Sequence, residues 1–186
     1  MFIAERDRAS EETAQDAERQ RWLRLAATVG APAARRLKLA TGPGSAQVVA
    51  ASRSLYMSAA ERAVTRARRE KRWADVARIR RAQAAAVYAA SGSPVPPPDD
   101  AVELHREAMV ALLKSFGGQG SGAELVSAGC CKACRADDGK VFKVTQELVE
   151  RRLPHAGCTR GICACDWWIG VVEPKRRRRA SPPASG

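Results

Sequence analysis

The chain of 186 residues carries a formal charge of +12, and its aromatic complement is four Trp, two Tyr and three Phe. Much of its apolar content is alanine, which buries little area per residue, so the composition excludes one large close-packed core and favours helices with thin apolar stripes. No apolar run approaches the length that spans a bilayer. Met1-Phe2-Ile3-Ala4 meets Glu5, Arg6, Asp7 and Arg8 at once, without the apolar h-region of a secretory signal. The expectation is therefore a cytoplasmic protein with no membrane partner.

Residues 1–44 form a charged segment that reads as helical from Ala4 to about Ala27, with Trp22, Leu23 and Leu25 near its end. Gly30-Ala31-Pro32 and then Thr41-Gly42-Pro43-Gly44-Ser45 punctuate it, because glycine and proline are costly inside a helix. Residues 45–116 form a second helical region. Val49, Leu55, Ala59, Ala60 and Val64 share one stripe, and Trp73, Val76, Ile79, Ala82 and Ala86 repeat its spacing. The basic run Arg66-Ala67-Arg68-Arg69-Glu70-Lys71-Arg72 lies between the two stripes. A hairpin turning near Lys71 covers them where one long helix would leave them bare. A proline-rich linker, residues 91–98, follows. Asp99 or Asp100 then caps a helix reaching about Phe116, with Val102, Met109, Leu112 or Leu113, and Phe116 on one side. His105 lies near that side as a packed or surface residue. Gly117 to Gly122 reads as a hinge.

All six cysteines fall in the next segment, residues 123–173. Two residues separate Cys131 from Cys134 and four separate Cys158 from Cys163, spacings that let paired thiolates face a tetrahedral zinc ion. In a reducing compartment such a cluster reads as metal ligands ahead of three disulfides. The preferred ligands are Cys131, Cys134, Cys158 and Cys163. His155 and Cys165 are the substitutes, and Cys130 ranks last because Cys131 has the better spacing. Asp138-Gly139 supplies a turn, Val141 to Val144 a strand, Thr145 to Arg152 a helix, and Trp167 to Val172 a final strand. Adjacent strand residues face opposite ways, so one of Trp167 and Trp168 covers the metal while the other meets the helices. A unit this small lacks a sufficient core of its own, and a bound ion offsets the shortfall. The fold class is thus mainly α: a helical N-terminal part, a small zinc-stabilised α+β module, and a basic tail over residues 174–186 that reads as disordered.

These residues resemble the cysteine-containing C-terminal segment of phage head-morphogenesis proteins, the minor head proteins of the phage Mu type. The match comprises Cys131, Cys134, Asp138-Gly139, Phe142, Pro154-His155 and Cys158, roughly a quarter of the chain. The family closes with a compact Cys-x-Cys directly after the histidine. Here Thr159-Arg160-Gly161-Ile162 separates Cys158 from Cys163-Ala164-Cys165. The resemblance implies a bacterial or phage-derived protein with a structural, assembly or DNA-proximal role.

Four protein ligands leave a zinc ion no open position, which points to structure rather than catalysis. The expected function is a nucleic-acid-associated or assembly protein. DNA or RNA would meet Lys132, Arg135, Lys140 and Lys143 around the knuckle, and Lys175, Arg176, Arg177, Arg178 and Arg179 in the tail. A protein assembly partner is the other expected contact. The competing reading is a metal-dependent nuclease with His155 as general base and Asp137 or Asp138 holding a hydrolytic metal. A zinc deaminase ranks below that, since the His-x-Glu signature paired with Pro-Cys-x-x-Cys is absent.

Overall fold

A computed structural model describes residues 2–29, 46–117, 122–127, 129, 131–155, 158 and 162–170. The expected breaks at 30–32 and 41–45, most of the hinge, Cys130 and the tail from residue 171 lie outside these residues. The described chain is mainly helical: α1 (Phe2–Val29), α2 (Ala46–Arg69), α3 (Trp73–Ala90) and α4 (Asp99–Ser115) precede a small α+β unit. That unit comprises β1 (Gly122–Val126), α5 (Lys132–Asp137), β2 (Val141–Lys143), α6 (Val144–Glu150) and β3 (Asp166–Gly170).

α2 and α3 form an antiparallel hairpin. Lys71 sits at the turn with φ 57, a left-handed conformation that reverses the chain without glycine. Glu61 meets Arg80 and Met57 meets Gln83, so partners advance on one helix as they recede on the other. The buried stripe of α2 is Ser52, Tyr56, Ala60, Val64 and Ala67, at helical intervals of four and three. Tyr56 takes the place that the sequence assigned to Leu55, which is exposed. On α3, Gln83 rather than Ala82 turns inward and donates to Glu61 Oε1 at 3.1 Å. Inward polar side chains are tolerated here because they are satisfied by one another. Arg80, itself buried, donates through Nη2 to Glu61 Oε2 at 2.9 Å and through Nη1 to Gln83 Oε1 at 2.8 Å. Its Nε lies 2.7 Å from Glu107 Oε2, an ion pair that draws α4 into the same network.

α1 crosses α2 through Trp22, whose ring centroid is 5.6 Å from that of Tyr56. The rest of this core is largely alanine, including Ala26, Ala60, Ala67, Ala77 and Ala86. Small residues let helix axes approach closely but contribute little area each, so Trp22 carries an outsized share of the α1 attachment.

α4 has two buried faces. Ala111 packs into the helical core, while Ala108, Met109 and Leu113 pack with Leu125, Trp167 and the cysteines of the second core. Its start differs from expectation: Pro98 occupies the cap position and Asp99 and Asp100 are the first helical residues. Proline already holds the extended backbone required there, and acidic residues in the first turn complement the helix dipole. Arg81 adds a second tie, donating through Nη1 to Asp166 Oδ2 at 2.9 Å and through Nη2 to Asp166 Oδ1 at 2.8 Å. No described helix is long and apolar enough to cross a membrane.

We expect Trp22→Ala to destabilise the helical part by about 3 kcal/mol, the usual cost of deleting a large buried aromatic side chain. Urea unfolding followed by far-UV circular dichroism reads the shift, and an unchanged midpoint would show that α1 is not held by this contact.

Candidate metal centre

The sheet order is β2-β1-β3, antiparallel throughout, with Glu124 opposite both Val141 and Trp168. β1 was not expected from the sequence, yet it is the central strand. β2 begins at Val141 as expected and ends one residue early, since Val144 opens α6, while β3 begins one residue early at Asp166. Pleating then sorts the side chains. Ala123, Leu125 and Trp167 turn inward and are buried, while Val126, Val141 and Trp168 face out. Trp167 meets Phe142 edge to face at 5.9 Å. Trp168 is 68% exposed, while Trp167 is the tryptophan buried with Met109 and Leu113 of α4 as well as with the cysteines, which corrects the division of roles expected for the pair.

The end of β1 is tied to the turn at Asp138-Gly139 that closes the short helix after it. Asp138 Oδ1 accepts from the Ser127 amide at 2.7 Å, and the Gly139 amide donates to the Leu125 carbonyl at 2.8 Å. Gly139 has φ 71, a value that a side chain would oppose. This turn aims the short helix α5, whose N-cap is Cys131. Cys131 Sγ accepts from the Cys134 amide at 3.3 Å, the geometry in which a backbone amide supports a thiolate. That amide, followed by the Cys134 thiol, draws the Cys131 thiol down to about 7. The loop after α6 then brings His155, Cys158, Cys163 and Cys165 against the knuckle.

Two donor groups result. Cys134, His155, Cys163 and Cys165 have donor atoms all within 4.8 Å of one another, and so do Cys131, Cys134 and Cys158. All six predicted metal-site residues are therefore brought together, with Cys134 in both groups. The preferred set from the sequence is divided between them: Cys131, Cys134 and Cys158 share one group, while Cys163 joins Cys134 in the other. No disulfide links the five described cysteines to one another. Cys134 Sγ lies 3.7 Å from Cys163 Sγ and 3.4 Å from His155 Nδ1. A tetrahedral ion bonded to sulfur at about 2.3 Å and to nitrogen at about 2.0 Å holds such donors about 3.5–3.8 Å apart, so the residues fit a metal.

His155 is oriented from behind. Its Nε2 lies 3.3 Å from Asp137 Oδ2 while Nδ1 faces sulfur, the carboxylate–imidazole–metal arrangement that fixes ring tautomer and direction. Lys140 Nζ donates to Asp137 Oδ1 at 2.9 Å, and this bond, joined by the one from His155, holds the Asp137 carboxyl below its usual range. Asp137 stands three residues after Cys134, on the same face of α5, so one imidazole reaches both. That spacing was the available signal for its role. His105 is buried with its Nε2 lacking a hydrogen-bond partner among the described residues, and burial and then the nearby Arg81 charge draw it down to about 4. It belongs to neither donor group, and the sequence held no sign of its contact with the metal loop. Burial pushes the Cys163 thiol up to about 12, which favours its neutral form until a cation offers its sulfur a partner.

Of the predicted phosphate-facing side chains, Lys132, Arg135, Lys140 and Lys143 are all exposed. Arg135 Nη1 donates to the Gly129 carbonyl at 3.2 Å, and Lys140 is engaged with Asp137. Lys175 and Arg176 to Arg179 lie outside the described residues. A cleft of about 180 Å³ beside the centre is lined by Pro96, Pro97, His105, His155 and Cys163 among others. It is smaller than the roughly 300 Å³ at which ligand pockets usually begin. No protein-family model, curated protein or solved structure matches the chain.

Stripping metal with a chelator should disorder the sulfur-lined core while sparing α1 to α3, whose contacts involve no cysteine. The expected result is a shift of tryptophan fluorescence with most of the far-UV helical signal retained; a fluorescence spectrum indifferent to chelation would remove the metal from the account. Re-addition of metal at pH 7 should release protons, since sulfur binds as thiolate, and affinity should therefore fall as pH is lowered. Calorimetry in buffers of different ionisation enthalpy counts those protons.

Proposed function

We propose that the C-terminal unit is a structural zinc module on a basic helical body, and that the protein works by binding rather than by catalysis. The observation that carries this reading is the closed set formed by Cys134, His155, Cys163 and Cys165, whose three sulfurs are buried. Sulfur with one imidazole in a tetrahedral arrangement suits zinc better than the hard cations that take oxygen donors. A fourfold protein ligand set provides no position for substrate or activated water. The nuclease alternative loses its base, because one nitrogen of His155 faces sulfur and the other faces Asp137. Asp138 is spent on the Ser127 amide.

The partner class follows from charge. A net +12 favours polyanions, and Lys132 and Lys143 stand exposed beside the module. The likeness of Cys131, Cys134, Asp138-Gly139, Pro154-His155 and Cys158 to phage head-morphogenesis proteins supports a bacterial or phage origin and an assembly role close to DNA. Contact of this kind is with the phosphate backbone and is not specific in sequence. A cytoplasmic setting suits a centre of reduced sulfurs.

Two measurements test the reading. Elemental analysis of the purified chain should find zinc, and a metal-free protein with an ordered module would overturn the structural role. Affinity for a short DNA or RNA duplex should fall by about a hundredfold or more between 50 and 200 mM salt. Replacing Lys132 and Lys143 by Glu should lower the slope of log affinity against log salt by about 2. A response flat in salt removes nucleic acid and leaves the protein-assembly role.

A further inference from the structure

We propose that the centre holds two divalent cations that share the Cys134 thiolate, a reading that rests on the zinc module proposed above and deepens it. One tetrahedral ion takes four donors, and Cys134, His155, Cys163 and Cys165 supply them. This leaves Cys131 and Cys158, both buried, with donor atoms within 4.8 Å of Cys134 and of each other. The distribution of donors is not that of one crowded site. They fall into two groups whose common member is Cys134, and a sulfur carrying a negative charge has lone pairs enough for two cations.

Each group draws on both chain segments. Cys131 and Cys134 come from the α5 knuckle, and Cys158 comes from the later loop that also delivers His155, Cys163 and Cys165. The Cys131 sulfur accepts the Cys134 amide, a donor that favours its charged form, and from 3.1 Å the two sulfurs would part to about 3.8 Å on a shared tetrahedral ion. Charge also balances. Three thiolates, one neutral imidazole and one dication carry a net charge of minus one. Adding a second dication with the thiolates of Cys131 and Cys158 leaves that net charge unchanged, so the second site adds no buried charge excess. Each of these sulfurs releases one proton to solvent on binding, and no electron moves. The second ion is held by three sulfurs among the described residues, Cys131, Cys134 and Cys158.

The 186-residue chain, loaded with zinc and desalted, is weighed by native mass spectrometry. We expect two zinc ions per chain. One per chain overturns the shared-sulfur centre and leaves the single structural ion intact; none overturns both. Cys158→Ser should bind one ion, and retention of two would remove Cys158 from the site. Because that variant can fail to fold, the unaltered chain is also loaded with cadmium-113. Two resonances are expected, and a single resonance at saturation overturns the proposal.

Discussion

The second core depends on sulfur where the first depends on alanine and two aromatic rings. Cys131, Cys134, Cys158, Cys163 and Cys165 are buried among Leu125, Leu153, Met109 and Trp167. A three-stranded sheet with strands this short cannot remove enough apolar surface from water to outweigh the ordering of its loops. Cysteine behaves as a small hydrophobe in such a place, but five of them facing one another bring polarisable donors where aliphatic side chains would interdigitate. A cation bound there would resolve the conflict, taking the place of thiol protons and drawing the sulfurs toward itself. Without it, the loops from α5 and from residues after Leu153 have little reason to meet.

The helical part and the sulfur-lined unit are joined through α4 rather than merely tethered. Ala111 faces one core and Met109 and Leu113 the other, while Glu107 reaches Arg80 and His105 lines the same cleft as Cys163. Arg81 clamps Asp166 at the start of β3. The glycine-rich stretch that follows α4 therefore does not mark a boundary between independent bodies, because the helix before it already belongs to both. An ion bound at one end and hairpin packing at the other would act on the same element.

What the sequence reveals follows from how strongly each signal is local. The helices are legible because alanine-rich periodicity is long and uninterrupted, and the hairpin is inferable from two stripes that need covering. The turn itself has no glycine or proline; Lys71 accepts a left-handed backbone that only the packed helices enforce. β1 is hidden for the opposite reason. Gly122-Ala123-Glu124-Leu125-Val126 is short, opens on glycine beside a glycine-rich run, and alternates weakly, so its role as the central strand comes from pairing on both edges. The six metal-site residues are legible from spacing alone. Their partition is not, since it depends on how far α5 turns Cys134 past Cys131, a matter of tertiary placement.

The position of Asp137 separates structural from catalytic use of the same residue types. Histidine, carboxylate and a basic surface together invite a hydrolytic reading, and the sequence contains all three. Catalysis would need His155 to present a nitrogen to substrate or water, with the carboxylate on a second ion. Instead the carboxylate stands behind the imidazole and Lys140 stands behind the carboxylate, a line of contacts that ends at solvent on one side and at Cys134 on the other. Charge relayed in that direction strengthens the imidazole as a ligand and fixes its ring. The residue types that hydrolysis would need are thereby tied to one another, while Lys132 and Lys143 face outward from the unit that holds them.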